Sequence, residues 1–417
     1  MGYTENLIDF IGKSTDCYHA VKTAKDRLDE NGFTELFEGD KWDVQSGGKY
    51  YVIRNSSSII AFEMPKKDFG AFMICASHTD SPSFKLKPDF EINADGCIKL
   101  SVEGYGGMIM SSWLDRPLSI SGRIVTAKNG KVETKLVNID RDLLVIPSLA
   151  IHMSRDINKG YEFNIRRDMC PIASDKNGRI EDIVAENVGV DKEEILGFDL
   201  SLYNRMRGTV LGTDGEYFSA PRIDDLQCMY STLEGFLNSE SDDNVNVFAA
   251  FDNEEVGSGT KQGAKSSFLR DVLERICNNS ETYKRAVAKS FMLSCDNAHA
   301  VHPNFADKSD GTNRVYMNGG IVIKYNANQR YTTDAVSEAV VKYVCKNAGV
   351  PYQMYANRSD IPGGSTLGNL SNEKVSLNTA DIGLAQLAMH SSYETAGSRD
   401  TEYMVKMIKE SEEKEEK

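Results

Sequence analysis

The stretch from Phe248 to Gly259, Phe-Ala-Ala-Phe-Asp-Asn-Glu-Glu-Val-Gly-Ser-Gly, limits what this chain can become more than any other. Val245, Val247, Phe248, Ala249, Ala250 and Phe251 make a short, almost unbroken apolar run, the pattern of a parallel strand buried on both faces. Polarity then reverses without a spacer. Asp252, Asn253, Glu254 and Glu255 follow directly, and Gly257 and Gly259 allow a tight turn where they end. Adjacent carboxylates at the end of a strand repel each other. A bound cation offsets that repulsion and gives the pair two separate tasks, one as a ligand and one as a proton carrier. Taken alone, the pair is equally a solvated acidic turn, so the rest of the chain has to decide.

The same pattern recurs. The apolar run Ala71 to Ala76 ends in Ser77-His78-Thr79-Asp80, and a histidine and an aspartate one residue apart suit a metal ligand with its orienting carboxylate close by. The run Ser290 to Cys295 ends in Asp296. Asp224, in Arg222-Ile-Asp-Asp225, stands at or just before a helix start, where a carboxylate also serves as a cap. His390 follows the run Leu384 to Met389. Ligands of open α/β sheets bind just outside the carboxyl ends of the strands, and three buried strands here end in His78 and Asp80, in Glu254 and Glu255, and in Asp296. With Asp224 and His390 the set holds two histidines and several carboxylates, suited to zinc, cobalt or manganese. That is too many ligands for one catalytic ion with an open position. It fits two ions about 3.5–4 Å apart that share one carboxylate and one water.

With 417 residues the chain is long enough for two domains, and 40% hydrophobic with 26% charged residues is ordinary globular composition. A net charge of −14 excludes a general attraction to nucleic acid or an anionic membrane. Eight cysteines without a Cys-x-x-Cys pair read as reduced thiols, and no apolar run is long enough to span a bilayer, so a cytoplasmic protein is expected. Lys49 to Arg54 and Ser58 to Glu63 read as strands, and Asn6 to Gly12 and Ala20 to Asn31 as helices. From Asp89 to Tyr217 short runs rich in Val, Ile and Leu alternate with turns such as Asp95-Gly96 and Asn129-Gly130, which predicts a β-rich, barrel-like insert. Within it His152 follows an apolar stretch, a position that by itself suggests a buried structural histidine. The loop Asn357 to Leu370 has three glycines but no Gly-Lys-Ser/Thr, so it is no P-loop. Glu410 to Lys417 reads as a fraying tail.

His78-Thr-Asp80-Ser-Pro, Arg222-Ile-Asp224-Asp, Asn253-Glu-Glu-Val-Gly-Ser258, Asp296-Asn-Ala-His-Ala-Val-His-Pro-Asn304, Asn326-Ala-Asn-Gln-Arg-Tyr331 and Leu387-Ala-Met-His390-Ser together resemble the M18 family of metallo-aminopeptidases, the aspartyl aminopeptidases among them. The likeness runs in order along nearly the whole chain. It implies an α/β fold, a mixed-sheet catalytic domain at 1–88 plus 218–417 interrupted by a β-rich dimerisation domain at 89–217. It also implies two zinc or related ions per subunit, peptide substrates, and dimers assembled into a tetrahedral dodecamer. Carried over residue by residue, His78 and Asp296 would bind one ion, Glu255 and His390 the other, and Asp224 both. Glu254 would be the general base and Asp80 would orient His78. His152 would reach a neighbouring subunit's site, and Lys324 would receive an acidic side chain at the substrate's N-terminus. Two alternatives remain open on the residues alone. The same ligands suit a deacylase or carboxypeptidase, and a non-catalytic metal-binding assembly protein would keep them too, although it would have no use for Glu254.

Overall fold

The strand Val245–Phe251 lies inside a nine-stranded mixed sheet with all seven of its residues buried. The computed structural model describes residues 2–128, 130–240, 243–277, 279–361, 363–364 and 366–413. The order across this sheet is Thr34–Glu35, Lys49–Arg54, Ser58–Glu63, Val245–Phe251, Phe72–His78, Phe291–Cys295, Asn378–Gly383, Ile321–Tyr325 and Tyr352–Ala356. Val245–Phe251 is parallel to Phe72–His78, with Phe251 opposite His78, but antiparallel to Ser58–Glu63 on its other side. The expectation of a parallel strand therefore holds on one side only. Phe291–Cys295 and Asn378–Gly383 continue the parallel run. Four carboxyl ends thus open on the same edge of the sheet.

Period-two alternation sends the side chains of Val245–Phe251 into two cores. Phe248 and Ala250 join Phe10, Tyr230, Leu233 and Phe236 beneath the helices Tyr3–Lys13, Cys17–Glu30 and Ile223–Leu237. Val245, Val247, Ala249 and Phe251 face the opposite way, toward Phe268, Val272 and Leu273 of the helix Phe268–Ile276. The helix Asp400–Glu413 crosses Ile223–Leu237 so closely that a Cβ at Gly235 would lie 2.5 Å from Ile408. This helix corrects the expected tail. It continues through residue 413 because Glu412 is buried, accepting a hydrogen bond from Ser239 Oγ at 2.8 Å, while its carbonyl accepts from Asn246. Asn129 and residues 414–417 lie outside the described residues.

A second sheet of six strands occupies residues 83–204, in the order Lys131–Asn138, Leu118–Lys128, Ile195–Asn204, Ser83–Ala94, Cys97–Tyr105 and Ile172–Asp175. Phe84, Trp113, Ile120, Val137 and Leu200 build a core of its own. Among the described residues the strand ladder stops short of a closed barrel. Single bridges from Leu144 to Leu118 and from Val145 to Ile172 are what link its outer strand back toward the middle. A third, five-stranded sheet was not legible in the sequence. Its strands Ala385–Leu387 and Glu394–Gly397 frame the turn that carries His390.

Candidate metal centre

Each chemical side chain enters the centre on a short tether. His78 is the last residue of its strand, and Asp80 lies two residues further on. Asp296 follows Phe291–Cys295, and Glu254 and Glu255 form a single 3-10 turn after Asn253, which takes φ 61°. Asp224 opens the helix Ile223–Leu237 with a non-helical φ of −79° and ψ of 108°. His390 sits in its turn at φ 65°. Such backbone is common where a site must be shaped and the surroundings hold it in place.

The two oxygens of Asp224 face two histidines. Oδ1 is 3.5 Å from His78 Nε2, and Oδ2 is 3.4 Å from His390 Nε2. Asp296 Oδ1 lies 4.0 Å from His78 Nε2, and Glu255 Oε2 lies 3.4 Å from His390 Nε2. Both rings are oriented alike. Nδ1 of His78 donates to the Asp80 carbonyl at 3.0 Å, and Nδ1 of His390 donates to the Gly107 carbonyl at 2.5 Å. A carbonyl can only accept, so in each ring Nδ1 carries a proton and Nε2 is the atom directed at the carboxylates, the one that would present its lone pair to a cation bound there.

The electrostatics call for cations. Burial pushes Glu254 up to about 8, with the charges of Asp296, Asp80 and Asp224 adding to it. Burial and Asp224 likewise raise Glu255. Burial alone would depress His78, but Asp225, Asp224 and Asp80 outweigh it and hold the ring above its ordinary value. Asp224 Oδ1, Asp225 Oδ1 and Glu255 Oε1 are buried without a hydrogen-bond partner, a costly state that a cation would relieve. Ligand atoms of His78, Asp224, Asp225 and Asp296 lie within 4.8 Å of one another, as do those of Asp224, Glu255 and His390 and those of His78, Glu254 and Glu255. Donors of this nitrogen and oxygen type fit zinc.

The structure therefore brings together His78, Asp80, Asp224, Glu254, Glu255, Asp296 and His390. It also brings in Lys324, which is 3% exposed. Its Nζ donates to the Asn297 carbonyl at 2.9 Å and lies 3.4 Å from Asp296 Oδ2. Beside it is a cavity of about 200 Å³ bordered by Glu254, Asp296, Lys324, Tyr331 and Thr366. His152 is not brought in. It is exposed, so it is no buried structural histidine, and its neighbours Leu149, Ile151 and Met153 are exposed as well.

Two carboxylates were missed. Asp225 is fully buried and accepts from the His78 backbone N–H at 3.1 Å; only its adjacency to Asp224 hinted at it. Glu394 accepts from the backbone N–H of Asp224 at 3.0 Å and of His390 at 2.7 Å, so one carboxylate spans both ligand-bearing segments.

A family model described as the aminopeptidase I zinc metalloprotease (M18) matches residues 10–410. The chain belongs to the M18 family of aminopeptidases. It is 45% identical over 426 residues to a probable M18 family aminopeptidase 2 of Clostridium acetobutylicum, covering 98% of each chain. Among solved structures, Ape4 in a cryo-EM complex with Nbr1 matches at TM-score 0.95 and 35% identity, over 98% of this chain and 85% of that one. A dodecamer of mApe1 from S. cerevisiae matches at TM-score 0.84 and 29% identity, over 98% and 95%. As an M18 enzyme the chain is a metal-dependent aminopeptidase, a hydrolase of peptide bonds, and its family is one of zinc metalloproteases. No helix among the described residues is long and apolar enough to cross a membrane.

Proposed function

We propose that the centre binds two zinc ions and removes N-terminal residues, acidic ones preferentially, from peptides. The observation that carries this reading is Asp224, whose two oxygens face His78 and His390 from one carboxylate. His78 and Asp296 then serve one ion, Glu255 and His390 the other, and Asp224 both. When bound, the two ions polarise the scissile carbonyl and make water acidic enough to attack near neutral pH. Glu254 accepts the water's proton and passes it to the departing amine, a role that suits a carboxyl that burial raises above the ordinary carboxylate range, making it a stronger base. Asp80 holds His78 through its carbonyl and, at 3.4 Å, its carboxylate.

Lys324 supplies the cation that an acidic side chain needs. In a protein of net charge −14, fields beyond about 8 Å are screened by physiological salt, so only a charge within the cavity can select for aspartate or glutamate. At about 200 Å³ the cavity is smaller than the roughly 300–1,000 Å³ of drug-sized sites, in keeping with a single side chain. The test uses glutamyl, leucyl and N-acetylated peptides. The wild type should prefer glutamyl and refuse blocked termini, and Lys324→Ala should lower the glutamyl-to-leucyl ratio about tenfold or more. An unchanged ratio would remove Lys324 from this role, and cleavage of blocked peptides would favour a deacylase.

The β-rich residues 89–217 are read as the assembly domain, with 1–88 plus 218–417 as the catalytic domain, in a cytoplasmic homo-oligomer of dimers arranged as a tetrahedral dodecamer. The exposed His152, beside exposed Leu149, Ile151 and Met153, fits a residue that works across a subunit contact. Co-assembling His152→Ala with Glu254→Gln chains should then restore part of the activity each lacks. No restoration would mean that His152 acts within its own chain or not at all.

A further inference from the structure

The route from the six-stranded sheet to the metal centre is a short run of chain, Tyr105 to Ser112. It leaves the strand Cys97–Tyr105 and re-enters the same unit at the 3-10 turn Met110–Trp113, where Trp113 is 4% exposed and meets Phe84 edge-on at 5.3 Å. One end is therefore held by strand pairing, Tyr105 lying opposite Ser83, and the other is anchored in the sheet's own core. Between them the run touches the centre at four points. Tyr105 Oη donates to Asp80 Oδ2 at 2.5 Å and accepts from Asn253 Nδ2 at 2.8 Å, next to the acidic turn. Gly106 takes φ +70°, and a Cβ there would lie 3.1 Å from Glu255 Cβ and 3.4 Å from its Oε2. The Gly107 carbonyl accepts the Nδ1 proton of His390, and the Ile109 N–H donates to the His390 carbonyl at 3.0 Å. Ser112 Oγ accepts from the Ser392 N–H at 2.8 Å, and the Ser112 carbonyl accepts from Ser392 Oγ at 2.5 Å.

We propose that Tyr105–Ser112 is a positioning strap through which the six-stranded unit sets the His390 side of the metal centre. Resting on the two-ion reading above, it assigns the strap three functions. The Gly107 carbonyl selects the His390 tautomer that presents Nε2. The Ile109 and Ser112 contacts hold the turn 388–392, in which Ala388 and His390 both have positive φ. Gly106, lacking a side chain, lets the backbone lie against Glu255. Partners of this kind, once removed, typically cost about 10–100-fold in metal affinity. The His78 and Asp296 side receives only the Tyr105 contact to Asp80 from the strap. Loosening the strap therefore unbalances the two ion sites rather than dissolving both.

The test is calorimetric titration of zinc into the metal-stripped full-length protein. Gly106→Ala places a methyl group against Glu255. Gly96→Ala is the control: its φ of +88° imposes the same kind of backbone strain in the same sheet, with no atom within 4 Å of the new Cβ. The expected result is that Gly106→Ala binds one ion as the wild type does and the other about 10–100-fold more weakly, while Gly96→Ala binds both normally. Equal behaviour of the two variants, whether both normal or both impaired, overturns the strap. Should Gly106→Ala fail to give a cooperative thermal transition, Ser112→Ala carries the test: a several-fold loss confined to one ion supports the strap, and an unchanged titration overturns it. Fewer than two ions bound by the unaltered protein removes the two-ion reading itself, a result distinct from any pattern among the variants.

Discussion

The carboxyl edge of the nine-stranded sheet and the strap of the six-stranded sheet meet at the same centre by different means. The edge sends charged side chains from strand ends, among them His78, Glu254, Glu255 and Asp296. The strap sends backbone carbonyls and amides, with one phenol and one hydroxyl. Side chains confer chemistry, and their residue types reveal it. Backbone groups confer orientation, and since every residue but proline carries the same pair, they leave no mark in the sequence.

The largest effect that can separate the two contributions falls on the edge. Glu254→Gln keeps the shape of its turn and the ligands around it, yet removes the proton acceptor. Turnover should fall by about 10²–10⁴-fold with both ions retained. Steady-state assays together with metal analysis check this, and near-normal turnover would take the general-base role away from Glu254.

Next comes the support beneath the edge. Phe248 has no exposed surface and packs with Phe236 in the core below the helices. Phe248→Ala should cost about 3–5 kcal/mol of stability, because a cavity is left where the strand cannot relax. Val132, 72% exposed on an outer strand of the six-stranded sheet, should tolerate alanine to within about 0.5 kcal/mol. Denaturant unfolding of the two variants measures the contrast, and equal losses would mean that the edge is no more firmly supported than the outer strand.

The smallest expected effect concerns pH. Burial pushes the Glu412 carboxyl from its ordinary 4.5 up to about 8. Between those values the folded chain keeps a proton that the unfolded chain has released, so stability falls as pH rises through that window, and the loss is complete above about 8. Glu412→Gln keeps a neutral group in place and should flatten this slope, by on the order of 1–2 kcal/mol between pH 5 and pH 8. Thermal unfolding at the two pH values is the measurement. A slope identical to that of the wild type would show that Glu412 ionises in the folded protein as it does in the unfolded one.

Much of the edge was legible. Lys49–Arg54 and Ser58–Glu63 fall where their apolar patterning predicts strands, and His78, Glu254, Glu255, Asp296 and His390, each read from an apolar run that ends in a metal-type side chain, gather at the centre with Asp224. Other features were not legible. The sheet direction on the far side of Val245–Phe251 depends on which strand pairs there, and that pairing is set by contacts distant in sequence. Glu412 reads as part of an acidic tail because Ser239, its buried partner, is 173 residues away. Glu394, Asp225 and the Tyr105–Ser112 run act through backbone hydrogen bonds, which no residue pattern encodes. The burial of Lys324 against Asp296 likewise depends on contacts distant in sequence.

The most direct test of the central claim is the number and spacing of ions in crystals of the zinc-loaded wild-type protein, read from anomalous scattering at the zinc edge. The account expects two peaks per chain about 3.5–4 Å apart, one beside His78 and Asp296, the other beside Glu255 and His390, with Asp224 touching both. A single peak at full zinc saturation, or two peaks of which only one contacts Asp224, would contradict it.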